Sequence, residues 1–205
     1  MEGKMMKKKR KFKPCGSNKT TPISKEQFDF ILNEFSDRHD LRMQIVCHLM
    51  YRAIRIGDIL TTIKIQNVYE ADGTLRDRIE FREEKTEKLR TVPIRGEKFI
   101  EALNQYYPVV KAFPKDSPLF YTEKTGEPLQ DSGVKKLLRY FVGKRGINQC
   151  SPHSFRKGGA RFMYENNVRI ENISDVLNHH STRVTELYIS ITPKDIEKSM
   201  ECLEI

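Results

Sequence analysis

The residues of this chain best suited to moving a phosphoryl group lie mostly in its C-terminal half. His153-Ser154-Phe155-Arg156 sets a histidine and an arginine three residues apart, which puts both on one face of a helix. Downstream runs Leu177-Asn178-His179-His180-Ser181-Thr182-Arg183-Val184-Thr185-Glu186-Leu187-Tyr188, with the tyrosine nine positions after His179. Arg55 follows Tyr51-Arg52-Ala53-Ile54, and Lys85 stands in Glu84-Lys85-Thr86-Glu87-Lys88. Breaking a phosphodiester without a metal requires a nucleophile, cations to neutralise the transition state and an acid for the departing oxygen. A phenol, two guanidinium groups, an ammonium and two imidazoles can fill those roles. Taken singly, each has a plainer reading: Tyr188 as a packing aromatic, the arginines as surface ion pairs, Lys85 as one charge in a solvated turn. The combination outweighs the single readings. His179-His180 has no carboxylate or cysteine nearby at ligand spacing, so no metal centre is expected.

Such residues need elements to hold them. Ser24-Lys25-Glu26-Gln27 is a capping-box pattern, followed by Phe28, Ile31, Leu32 and Phe35 at helical spacing. Helix is expected to continue through Met43, Ile45, Val46, Leu49 and Met50. Between Gln66 and Ile94 the pattern shifts to Asn67-Val68-Tyr69, a turn at Ala71-Asp72-Gly73, then Arg78-Ile79-Glu80-Phe81 and Leu89 to Ile94. This reads as a small three-stranded antiparallel sheet. Phe99, Ile100, Leu103 and Tyr107 predict a helix ending near Pro108, and Leu119-Phe120-Tyr121 a short strand. Asp131 to Val142, His153 to Glu165, Ile170 to Leu177 and Thr182 to Ile191 read as helices. From Pro193 an amphipathic piece carries Ile196, Met200 and Leu203. The expected class is α+β, mainly helical.

The chain is long enough for one ordinary domain plus a tail. Its net charge of +9 is unevenly placed: of 37 basic and 28 acidic residues, Met1 to Lys19 hold eight basic and one acidic. The rest is nearly balanced. Lys7, Lys8, Lys9, Arg10, Lys11 and Lys13 make residues 1–20 a candidate disordered arm for a polyanion. No apolar stretch is long enough to span a bilayer, and the basic start leads into no signal-type apolar run. Cys15, Cys47, Cys150 and Cys202 are scattered and read as free thiols in a reducing cytoplasm.

Taken in order, Arg55, Lys85, His153 with Arg156, His179 and Tyr188 resemble the tyrosine recombinase (phage integrase) family, over nearly all the chain from about Thr21. The pattern is a first Arg followed by a small residue and an acid, a hairpin Lys, H-x-x-R, L-G-H, and a Tyr nine positions beyond that His. Departures are Arg52-Ala53 for Thr-Gly, Gly57-Asp58 for Ser-Glu, and Asn178 for the Gly of L-G-H. Asn tolerates left-handed backbone, so the last change is mild.

The resemblance implies the catalytic-domain fold of that family. It implies that Tyr188 attacks the scissile phosphate to give a 3′-phosphotyrosyl link, with Arg55 and Arg156 clamping the non-bridging oxygens. Lys85 is the implied acid, with Lys88 and Arg90 as alternatives. His153 assists proton transfer, His179 bonds the phosphate, and Asp58 buttresses Arg156 or the turn. No metal, cofactor or ATP is implied. The expected partners are double-stranded DNA and other copies of the chain, as a homo-tetramer on DNA and a monomer in solution, with residues 193–205 packing on their own core or on a neighbour. Since about twenty residues precede the first capped helix, a separate helical core-binding domain is not expected. Site-specific integration, excision or inversion of DNA follows as the expected role. A silent DNA-binding regulator and a type IB-like topoisomerase share these features.

Overall fold

Ser24 starts the first helix by two reciprocal bonds: its Oγ accepts from Gln27 N at 3.2 Å, and Gln27 Oε1 accepts from Ser24 N at 3.0 Å. Helix α1, Lys25–Asp37, then buries Phe28, Ile31, Leu32 and Phe35 along one stripe. Asp40 Oδ1 accepts from Met43 N and caps α2, Leu41–Tyr51, which is buried from Ile45 to Met50 and forms the centre of the molecule. The chain reverses through Ala53, held at φ +63°, into α3, Ile56–Thr61. The computed structural model describes residues 20–122, 125–191 and Glu197. The arm with Lys7, Lys8, Lys9, Arg10, Lys11 and Lys13, and the expected piece from Pro193 apart from Glu197, lie outside them.

A two-stranded antiparallel hairpin follows, β1 Arg78–Arg82 and β2 Leu89–Pro93, in register Ile79 with Val92 and Phe81 with Arg90. The expected third strand is absent among the described residues. Asn67 ends a 3-10 turn, Ile65–Asn67, and Val68 and Tyr69 are buried in succession instead of alternating. Side chains take over there: Asn67 Oδ1 accepts from Lys64 N and its Nδ2 donates to Glu80 O, while Tyr69 Oη donates to Leu103 O. The segment bridges back on itself at Tyr69 and Leu75. Likewise Leu119-Phe120-Tyr121 forms no strand, only isolated bridges from Pro118 to Lys64 and from Tyr121 to Pro128.

Helix α4, Glu97–Val110, passes through Pro108 instead of ending there. Pro108 and Asn104, whose carbonyl loses its partner, are both exposed, so water can serve that carbonyl, while buried Val110 draws the last turn onto the core. Helix α5, Asp131–Arg139, is shorter than expected because Tyr140, Phe141 and Val142 bond three residues back, in turns. Helices α6, Pro152–Glu165, α7, Ile170–Leu177, and α8, Thr182–Ile189, complete the order.

Helix α6 lies directly on α2. A Cβ added at Gly159 would sit 1.7 Å from the Tyr51 carbonyl oxygen, and one at Gly158 would sit 2.4 Å from that of Ile23. No other residue type permits that approach. The main core runs from α1 to Phe155. Ala53, Ala160, Ile173, Leu177 and Ile189 form a second, smaller cluster beneath α7 and α8. Cys47 and Cys150 are buried free thiols. Among the described residues, no helix is long and apolar enough to cross a membrane.

Candidate active site

Arg55 occupies the residue before α3, in extended conformation, and its Nη1 donates to Glu83 Oε2 at 2.9 Å. Buried Asp58, one turn on, accepts from Glu84 N through Oδ1 at 2.9 Å, and its Oδ2 stands 3.8 Å from Arg55 Nη1. Asp58 thus ties α3 to the β1–β2 turn. Burial, and secondarily Glu83, raises its pKa above the ordinary aspartate value against the pull of the Glu84 amide and of Arg55 and Arg156.

Helix α6 starts at a capping box in which Ser151 Oγ accepts from Ser154 N, with Pro152 at the first position. His153 therefore falls in the first turn and Arg156 on the next. Arg156 is 4% exposed; its Nη2 donates to Leu177 O at 2.8 Å, while Nη1 is buried without a hydrogen-bond partner. Burial lowers its pKa to about 10, so it remains a cation at neutral pH. The pKa of His153 is lowered by burial and then by Arg156 and Lys157. Arg55, Asp58, Lys85, His153 and Arg156 line one cleft of about 530 Å³, with Lys85 exposed on the hairpin side.

His179 and Tyr188 do not line this cleft; the α7–α8 segment that carries them meets it through Arg156, whose Nη2 reaches the Leu177 carbonyl. Asn178 closes α7 in the left-handed conformation, φ 53° and ψ 45°. His179 Nδ1 and Thr185 Oγ1 are 2.9 Å apart, which fixes the ring. Its pKa falls to about 4, first by burial and then by the charges of Arg156 and Arg55, so the ring is neutral at pH 7. Tyr188 meets this ring edge-on at 5.1 Å between centroids, and the Lys157 ammonium lies 5.3 Å from the phenol centroid. Tyr188 Oη is buried and makes no hydrogen bond. Burial raises its pKa, while Arg156 and Arg55 pull it back. The phenol is thus neutral at rest, under a field that favours its anion.

Glu83 escaped the sequence reading. It is 1% exposed and accepts four side-chain bonds: from Arg55, Thr86 and Asn178 on Oε2, and from Arg90 on Oε1. Burial would raise its pKa, but these donors, Asn178 and Thr86 foremost, hold it at about 2. Thr185 and Asn178 were missed as partners too. The one signal was position, Glu83 being two residues from Lys85 and Asn178 next to His179.

A mainly helical domain with a hairpin, a buried Arg156 near a half-buried Arg55, and a tyrosine on a short late helix defines the class: the fold of tyrosine recombinase catalytic domains, shared with the crystal structure of XerA recombinase. That likeness has a TM-score of 0.72 at 21% identity, over 93% of this chain and 67% of the other. The structure of XerH site-specific recombinase bound to palindromic difH substrate, a post-cleavage complex, is similar with a TM-score of 0.69 at 16% identity, over 92% of this chain and 54% of that one. Residues 22–195 match the model of the phage integrase family, and the chain belongs to that family. Tyrosine recombinase XerA of Pyrococcus furiosus is 28% identical over 174 residues, which cover 83% of this chain and 57% of the relative. The probable integrase/recombinase YoeC of Bacillus subtilis is 28% identical over 140 residues, 68% of this chain and 71% of YoeC. The chain thus spans about half to seven-tenths of these curated relatives.

Proposed function

We propose that this chain is a site-specific tyrosine recombinase that cuts and rejoins double-stranded DNA through a covalent link to Tyr188. The observation that carries the reading is that, of the six buried side-chain polar atoms without a hydrogen-bond partner among the described residues, two are Tyr188 Oη and Arg156 Nη1, and the charge of Arg156 acts on both Tyr188 and the neutral His179. A scissile phosphate would answer both. Buried polar groups are nearly always paired, so an exception of this kind points to a substrate.

In the proposed step Tyr188 Oη bonds to phosphorus as the bond from phosphorus to the 5′-oxygen breaks. The phenol proton passes to His153, and Lys85 gives a proton to the 5′-oxygen. Arg55 and Arg156 hold the non-bridging oxygens, where planar forks match the geometry. His179 donates from the nitrogen that Thr185 does not engage. The phosphotyrosine conserves the bond, so a second 5′-hydroxyl reverses the reaction without ATP.

The arm, residues 1–20, belongs to this reading as a phosphate contact, and a tetramer on DNA as its working form. A groove of about 1010 Å³ bounded by Phe28, Leu89, Val92, Phe162, Met163 and Val176 supports docking of residues 193–205 from a neighbouring copy.

The test is covalent trapping. A duplex site is recovered from a random pool with the full chain, nicked near the scissile position and incubated with protein. The expected result is a denaturation-resistant adduct that Tyr188→Phe loses completely while binding the same duplex with unchanged affinity. Binding without adduct would instead identify a silent regulator, and relaxation of supercoiled DNA of any sequence a topoisomerase.

A further inference from the structure

Asn178 sits where the backbone is left-handed, a conformation that glycine adopts at no steric cost. What an asparagine adds at that position is its side chain, and all of it is used. Oδ1 accepts from Lys88 Nζ at 3.0 Å. Nδ2 donates to Glu83 Oε2 at 2.7 Å and to Thr86 Oγ1 at 3.1 Å. All three partners belong to the turn between β1 and β2, 90 to 95 residues away in sequence, and that turn carries Lys85. Among the described residues, no other hydrogen bond joins this turn to α7 or α8. Through Glu83 the connection continues to Arg55 and Arg90.

We propose that Asn178 is a positioning residue, a latch whose amide holds the Lys85 turn in register with the segment bearing His179 and Tyr188. The inference rests on the strand-transfer reading above and adds to it how acid and nucleophile, which come from opposite ends of the fold, keep their relative places. Lys85 itself is exposed and lies in a turn whose own backbone bonds are few, Glu83 N to Lys88 O and Glu87 N to Glu83 O. Without the latch the turn loses its three bonds to Asn178 at once, and it stays tied to α3 and β2 through Glu84 N on Asp58 and through Glu83 on Arg55 and Arg90, none of which reaches the segment bearing His179 and Tyr188.

Asn178→Gly tests this, because it removes the amide and keeps the backbone at ease. Two substrates are compared for the full-length chain: ordinary nicked DNA, and the same duplex with sulfur replacing the bridging 5′-oxygen, whose thiolate leaves without protonation. On ordinary DNA we expect cleavage to fall by about ten- to a hundredfold, short of the roughly hundred- to ten-thousandfold that a general acid supplies, because Lys85 is displaced and not removed. On the sulfur-bridged duplex the variant should come within about threefold of the unaltered chain, since the lost function is then not needed. Amide exchange across residues 83–88 should quicken while that of α6 stays the same. Equal losses on both substrates would overturn the proposal, since they mean general damage to the site; so would cleavage of ordinary DNA at the unaltered rate. If the unaltered chain forms no adduct at all, the strand-transfer reading falls. Exchange then decides alone: protection of 83–88 unchanged in Asn178→Gly overturns the latch, and faster exchange upholds it.

Discussion

At the scale of single residues, burial sets the chemistry before any charge does. Tyr188, Arg156 and His179 each have a pKa moved first by desolvation and only then by one another. The same force acts on His48, which lies between the rings of Phe28 and Phe99 with Arg52 Nη1 3.3 Å from its Nδ1, and whose pKa falls to about 3. A histidine depressed in the folded state binds its proton more readily in the unfolded chain. Its stabilising effect is complete above the unfolded pKa and is lost as pH falls from about 6.5 toward the folded value. His48 and His179, with His153 in the same direction, should therefore make the protein acid-labile. Chemical denaturation at pH 7 and pH 5 should show a loss of about 2 kcal/mol from His48 alone, and His48→Phe should flatten the dependence. That Arg55, Lys85, His153 and Arg156 share one cleft, and that His179 meets Tyr188, was legible in the sequence through their order and spacing. Glu83 was not, since its donors Arg55 and Asn178 stand 28 and 95 residues away and only the folded chain tells a buried carboxylate from Glu84 and Glu87 beside it.

Among the elements, the contact between α2 and α6 positions the site. It brings Arg55, just past α2, to the residues that α6 carries, His153 and Arg156. Gly159→Ala would drive a methyl group into the Tyr51 carbonyl, an atom that cannot turn aside. We expect a loss of about 3 kcal/mol, at the upper end of overpacking costs, read as a lower denaturant midpoint. Helices with one apolar stripe, α1 and α7 above all, were legible because burial repeats at their own period. The hairpin was legible in β1 and β2 but not in the missing third strand. Val68 and Tyr69 have strand-forming side chains, yet both are buried together and Asn67 spends its amide on backbone groups. Pro108 misled for a related reason: a proline on the wet face of a helix removes a bond that water replaces.

For the whole molecule, charge and core are divided between different parts of the chain. Met1 to Lys19 carry a net +7 against +9 for the full sequence. Deleting residues 1–19 should weaken DNA binding at low salt. It should also make the plot of log affinity against log salt shallower, by about 0.9 for each phosphate that the arm no longer neutralises; fluorescence anisotropy across a salt series measures both. Unchanged affinity at low salt would make the arm a solubilising tail. The overall class was legible from the helical stripes and from the change of pattern between Gln66 and Ile94. The division of the apolar interior into two clusters was not, because it depends on which helices meet.

That division bears on how the proposed nucleophile is held. Tyr188 rides on an eight-residue helix whose apolar support is the small cluster of Ala53, Ala160, Ile173, Leu177 and Ile189. The three larger of those side chains, Ile173, Leu177 and Ile189, contribute about 1.5–3 kcal/mol of burial each, and the larger interior around Phe35, Phe99 and Phe155 is a separate cluster. Of that small cluster only Ile189 belongs to α8 itself, so the amides of α8 should exchange faster than those of α2 and α6. If hydrogen exchange shows α8 opening before α2 and α6, the proposed nucleophile is held more loosely than Arg55 and Arg156.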